Sequence, residues 1–157
     1  VIKIKELHQG FNDESDWASS DIPSEYIVND GDVIFSWSGS LEVVIWQYGK
    51  GVLNQHLFKV TSEKYPKWFY YFWIKHHLPE FRAIAEDKAT TMGHIQRHHL
   101  SEAIVVIPDD KAISNMNGQI QPLFDKLISN QSQVRKLENL RDALLPKLMS
   151  GEVRIKA

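Results

Sequence analysis

Apolar and charged residues alternate through VIKIKEL, residues 1 to 7, the period-two pattern of a half-buried strand. The turn residues Asn29-Asp30-Gly31-Asp32 lead into the apolar run Val33-Ile34-Phe35. Val43-Val44-Ile45-Trp46 and Leu57-Phe58-Lys59-Val60 are two further strand candidates, the first followed by the glycines of Tyr48-Gly49-Lys50-Gly51. After Pro66 the pattern changes. Trp68-Phe69-Tyr70-Tyr71-Phe72-Trp73-Ile74 and the residues on to Ala85 read as helical, with a buried strand as the alternative for the aromatic run. Ala103-Ile104-Val105-Val106-Ile107 predicts one more buried strand, ended by Pro108.

From Asp109 the period becomes seven. With Ile113 at position a, the a and d positions are Ile113, Met116, Ile120, Leu123, Leu127, Asn130, Val134, Leu137, Arg141, Leu144 and Leu148, all apolar except Asn130 and Arg141. That is the narrow seam of a coiled coil rather than the wider stripe of a helix lying on a globule. Asp109 or Asp110 can cap its start and Ser150-Gly151 can stop it. At about 1.5 Å per residue the helix reaches on the order of 55 Å, longer than the domain before it. Its seam, carried by Ile113, Ile120, Leu127, Val134, Leu137 and Leu144, therefore calls for a second helix from the same polypeptide or a second chain; the alternative is that it folds back on its own domain. Asn130 and Arg141 would set register at some cost in stability. Pro122, whose missing N–H leaves Gly118 without its bond, predicts a bend, and Pro146 predicts an end to regular helix at about Leu145. The pattern as a whole predicts an α+β chain: a small mixed, β-rich globular domain over residues 1 to 108, then a long coiled-coil-forming helix with its tail over 109 to 157.

Composition narrows the function. A chain of 157 residues with 43% hydrophobic content can bury a core in one domain with an appendage. The 18 Lys and Arg against 20 Asp and Glu give no overall basic signal for nucleic acid. The balance is uneven, however: −5 over residues 1 to 60, +1 over 61 to 108 and +2 over 109 to 157, with five of the seven histidines in the middle stretch. An anionic partner is met most easily there. The absence of cysteine excludes disulfides, zinc–thiolate sites and thiol nucleophiles, and fits a cytoplasmic protein. No apolar run approaches the roughly 20 residues needed to span a bilayer, so no membrane partner is expected. The opening Val1, without a signal peptide, suggests a fragment of a longer polypeptide.

No phosphate-binding GxxxxGK loop, GxGxxG fingerprint or Asn-Pro-Pro-Tyr methyltransferase motif is present. His94 and His98, in His94-Ile95-Gln96-Arg97-His98-His99, would share one face of a helix with the spacing of a metal pair, but zinc needs a third ligand that the sequence does not place. Histidines that hydrogen-bond or face phosphate are the expectation, with no metal, cofactor or catalytic residue. DNA reading needs donors and acceptors that reach a groove and cations that hold phosphates. Thr90, Thr91, Gly93, His94, Gln96, Arg97 and His98 supply hydroxyls, a close-approach glycine, an amide for an adenine edge and a guanidinium for guanine or phosphate. The plainer alternative is that Thr90, Thr91 and Gly93 only shape a turn. Ser36, Ser38 and Ser40, with Lys50 beyond them, form a second candidate loop. Lys64, Lys67, Lys75, His76, His77 and Arg82 form a possible phosphate-facing surface, against the default of solvated helix charges. The aromatic run at 68 to 73 is expected to be core rather than a base-stacking platform, and Asn54-Gln55 to satisfy backbone groups at a strand start.

The string LRDALLPKLMSGEVRI, ending at Ile155, resembles the end of a conserved-region helix in the specificity subunits of type I restriction-modification systems. Three other places agree, in the family's order: Gly31-Asp32-Val33-Ile34-Phe35-Ser36 with Ser38-Gly39-Ser40, Leu53-Asn54-Gln55-His56, and Thr90-Thr91-Met92-Gly93-His94-Ile95 leading to Leu100. The resemblance implies one target-recognition domain, lacking its opening segment, followed by one conserved-region spacer helix, with Glu152-Val153-Arg154-Ile155 pointing to the C-terminal unit. It further implies a non-catalytic protein whose partners are double-stranded DNA, methyltransferase subunits, a restriction subunit through the complex, and a second conserved-region helix from the same subunit or a homodimer mate. Shared among members of different specificity, the Thr90 to Arg97 segment would favour backbone contact or packing over base reading. A coiled-coil scaffold without a DNA role is the alternative function.

Overall fold

The computed structural model describes residues 1 to 19, 21 to 87 and 93 to 153. It is α+β, a small mixed domain followed by a long helix, as expected. At its centre lies strand β2 (Val33–Ser36), antiparallel to β3 (Glu42–Ile45) on one side and to β5 (Leu57–Val60) on the other. Every residue of β2 is buried because both faces of the strand are covered. On one face Ile34 joins Ile2, Leu7, Val28, Trp46 and Leu57 in an apolar cluster. On the other, Phe35 meets Phe81 edge to face at 6.3 Å between ring centroids. A second, two-stranded pair, β1 (Ile27–Val28) with β4 (Gly51–Val52), flanks the first cluster.

Phe81 belongs to the helix that the aromatic run forms, α2 (Lys67–Asp87); helix, not strand, is the outcome of that ambiguity. Trp68, Phe69, Tyr71, Leu78, Phe81 and Ala85 are buried, so the run is mainly core. Each such side chain contributes roughly 1.5–3 kcal/mol by leaving water. Two cations read as possible phosphate contacts hold the helix to the sheet instead: Lys67 Nζ donates to Gly31 O, and Arg82 Nε to Leu41 O at 3.0 Å. His77 stacks between Trp73 and Phe81.

Two strand expectations are overturned. In VIKIKEL only Ile2 makes a bridge, parallel to Leu53, and Ile4–Gln9 forms helix α1. Glu6 accepts the Lys3 N–H at 3.1 Å, closing the first turn, and Gly10, at φ 73°, ends the helix by donating to Glu6 O at 2.9 Å. Seven residues satisfy both periods, and the capping chemistry decides. Ala103 to Ile107 likewise joins no sheet and is largely exposed, Ile104 at 80%. Ala103, Val105 and Ile107 line an apolar cavity of about 450 Å³ with Phe58, Phe69 and Trp73, whereas Ile104 and Val106 face water. An apolar run fixes which side is buried; a ladder also needs an edge at the right distance.

Residues 1 to 117 form one compact unit and the chain from Gly118 a second. The helix α4 (Asp110–Met149) begins in the first, where Asp109 Oδ1 accepts the Ala112 N–H at 2.7 Å and Asn117 Oδ1 accepts the Trp68 indole N–H at 2.8 Å. It does not end at Leu145 as Pro146 suggested. A proline removes one bond, and the turns beyond it still close, with Ser150 N–H donating to Pro146 O at 2.9 Å and Val153 N–H to Lys147 O at 3.2 Å. Gly151, at φ 76°, supplies the stop. The seam is open to water: Leu123, Leu127, Val134, Leu137, Leu144 and Leu148 are all exposed. Among the described residues no helix is long and apolar enough to cross a membrane.

Candidate nucleic-acid interface

Two segments far apart in sequence are laced together at one end of the sheet. Past the end of β2 the chain turns at Gly39, at φ 64°, a conformation that L side chains rarely adopt. Gly39 N–H donates to Gly93 O at 2.9 Å, Ser38 and His94 form an antiparallel bridge, and Ile95 N–H donates to Trp37 O at 3.1 Å. Gly93 must be small for this: a Cβ there would lie 2.8 Å from Ala85 O of α2. Ile95 is anchored in the core, and its neighbours His94, Gln96 and Arg97 are left exposed. Helix α3 (Arg97–Glu102) follows, with Gln96 at its N-cap position, where the Gln96 N–H donates to His99 Nδ1 at 3.0 Å.

The turn before β5 completes the arrangement. Trp37 stacks on Phe58 with centroids 6.1 Å apart, lies 5.8 Å from the His56 ring and 6.3 Å from that of His94, and donates its indole N–H to Gln55 O at 3.2 Å. Trp37, Gln55, Phe58, His94, Ile95, Gln96, Arg97 and Leu100 thereby line an open cleft of about 410 Å³. Its floor is aromatic and its rim carries two carboxamides, a guanidinium and an imidazole. Groups of that kind pair with base edges and phosphates.

A family model described as "Type I restriction modification DNA specificity domain" matches residues 15 to 140. The chain belongs to this family. The specificity subunit of the MjaIX type I restriction enzyme from Methanocaldococcus jannaschii is 30% identical over 98% of the chain, and that of the EcoBI type I restriction enzyme from Escherichia coli is 26% identical over 98%. The chain spans 37% and 33% of the length of these two relatives. No solved structure matches it.

Within this specificity domain the expected site residues fall into distinct groups. Gly93, His94, Gln96 and Arg97 come together at the cleft, beside the Ser38 to Ser40 turn. Ser36 and Ser38 are buried, at 0% and 5% exposure: Ser36 Oγ donates to Ser38 O at 3.1 Å, and Ser38 Oγ lies 2.9 Å from His56 Nδ1. They shape the loop, and only Ser40 of the three is exposed. His98 is exposed on α3. Lys50 lines another recess, with Phe11, Asp16 and Trp17. Thr90 and Thr91 lie outside the described residues. His94 sits in the bridge to Ser38, ahead of α3, so it and His98 are not successive turns of one helix. Among the described residues no three His, Asp or Glu side chains gather as a metal's ligands would.

Trp37, Gln55, His56 and Phe58 were not among the expected site residues. Trp37 stands inside the small-residue loop, and a lone tryptophan among serines and a glycine was the available signal. The Leu53-Asn54-Gln55-His56 string carries part of the family resemblance but no site role for Gln55 or His56; Gln55 reaches the cleft, with His56 beside it, through pairing with a loop 18 residues away.

Proposed function

We propose that this chain is a non-catalytic DNA-reading module that recognises one half of a bipartite double-stranded target, as part of a cytoplasmic specificity subunit. The observation that carries the reading is the cleft: the 36 to 40 turn and the 93 to 97 segment are hydrogen-bonded into one rim that, with the turn before β5, presents Gln55, Gln96 and Arg97. Arg97 serves a guanine edge or a phosphate, Gln96 an adenine edge, and His94, His98 and Ser40 the backbone around them. Lys50, Thr90 and Thr91 are further candidates for DNA contact. Ser36, Ser38 and Gly93 act by holding the rim.

The seam of α4, half-buried at Ile113 and Ile120 and exposed at Leu127, Val134, Leu137 and Leu144, engages a second conserved-region helix of the same subunit or of a homodimer mate. Residues 1 to 108 serve as the recognition domain and 109 to 157 as the spacer. The assembled spacer seats methyltransferase subunits, and the restriction subunit through them. The test is methylation-site mapping of DNA from cells carrying the whole system, with and without Arg97→Ala and Gln96→Ala. A bipartite motif in which one half weakens or changes is the expected result. A complex that methylates with no bipartite motif would overturn the DNA-reading role and leave the coiled-coil scaffold.

A further inference from the structure

We infer that Gln55 is a specificity-determining residue that reads the major-groove edge of one adenine in the half-site, with His56 and Ser38 as the residues that position it. The inference rests on the DNA-reading role proposed above and adds to it the base and the side chain.

Asn54 and Gln55 look equivalent in sequence, and the structure separates them. Asn54 is half-buried and tied in place: its Oδ1 accepts the His56 N–H at 3.2 Å, its carbonyl accepts the Leu57 N–H at 3.0 Å, and its N–H donates to Ile2 O at 2.9 Å. The backbone of Gln55 is fixed by this turn and by the Trp37 indole, but its side chain is exposed on the rim of the cleft. It projects a carboxamide from an immobile base, which keeps the entropy cost of ordering it against DNA low.

The carboxamide also has an orienting contact. Gln55 Nε2 lies 3.4 Å from His56 Nε2, and His56 Nδ1 lies 2.9 Å from Ser38 Oγ, a hydroxyl held in the buried loop. With its proton on Nδ1, the imidazole donates to Ser38, and its Nε2 accepts from the Gln55 amide. That leaves Gln55 one N–H and Oε1 for a partner, a donor beside an acceptor. Adenine offers the complement in the major groove, N7 accepting and N6 donating. Guanine offers two acceptors and would leave Oε1 facing O6 unpaired.

The experiment uses the full specificity subunit assembled with its methyltransferase subunits. Dissociation constants are measured for duplexes bearing the mapped motif, with each half-site base pair exchanged in turn, at several salt concentrations. Gln55→Ala is expected to reduce discrimination at one A·T pair by on the order of 5- to 150-fold, with the salt slope unchanged. Gln55→Glu, an acceptor only, should shift preference at that position toward cytosine, whose N4 donates. His56→Ala should weaken discrimination at the same position alone, with no further loss when combined with Gln55→Ala. An unchanged profile for Gln55→Ala overturns the inference. So does uniform weakening with the salt slope reduced by about one, the mark of a phosphate contact. A wild-type complex without sequence selectivity would instead overturn the DNA-reading role itself.

Discussion

Gly93→Ala tests whether the two loops are joined as tightly as their geometry requires. The added methyl would sit 2.8 Å from Ala85 O, 3.1 Å from Ala85 C and 3.2 Å from its Cβ. Those atoms cannot withdraw as a flexible side-chain tip would: Ala85 is 4% exposed in α2, which is fixed to the sheet through Phe81 and the Arg82 bond to Leu41 O. The 93 to 95 segment must move, straining the bonds from Gly39 to Gly93 O and from Ile95 to Trp37 O. Overpacking of this kind costs about 1–3 kcal/mol. With a urea slope near 2 kcal/mol per molar, a loss of about 2 kcal/mol lowers the denaturation midpoint by about 1 M. All five tryptophans, at 17, 37, 46, 68 and 73, lie in the 1 to 117 unit, so their fluorescence reads that unit alone. Gly118→Ala is the counterpart, because a Cβ there meets nothing within 4 Å in the middle of a helix. It should raise helicity, measured by circular dichroism, by removing a helix penalty of about 1 kcal/mol. An unchanged fluorescence midpoint in Gly93→Ala would refute the close packing of the rim on α2.

In the seam, Leu127→Asp places a carboxylate at an a position, and an unpaired charge in a helix interface costs several kcal/mol. If copies pair through their seams, this change should separate them into single chains in sedimentation, whereas Ser129→Asp, on the outer face, should leave the mass unchanged; equal effects from both would discard the seam as the interface. At alkaline pH, burial raises the Tyr71 hydroxyl above the ordinary tyrosine value, with the Glu42 carboxylate adding to it, and burial and Asp32 act likewise on Tyr70. Because the fold favours the neutral phenols, this contribution is whole below about pH 10 and is lost as pH rises through their higher values. Tyr71→Phe should remove a late step from the tyrosinate absorbance titration, and its persistence would reassign that step.

The long helix is legible in the amino-acid sequence because its signal is local and repeated. Each heptad restates which face is apolar, and neither proline outweighs the sum. Strands β2, β3 and β5 are legible as apolar runs bounded by turn residues, and the helical reading of the aromatic run was available although a strand was too. The family is legible as well, from four short strings in a fixed order.

Tertiary structure decided what depends on an opposite surface. VIKIKEL alternates correctly for a strand, yet the Glu6 carboxylate and Gly10 close it into a helix after one bridge residue. Ala103 to Ile107 has the composition of a core strand and finds a cavity wall but no ladder. Ser36, Ser38 and Ser40 are interchangeable on paper; the β2 register and the His56 contact bury the first two and leave the third in water. Gln55 reaches the cleft only because Trp37 and His56 tie its turn to a distant loop. Periodicity reports which side of a segment shuns water, a property of neighbours three or four residues apart. The rim of the cleft is made by partners 18 to 58 residues apart, and their meeting is a property of the whole packed domain.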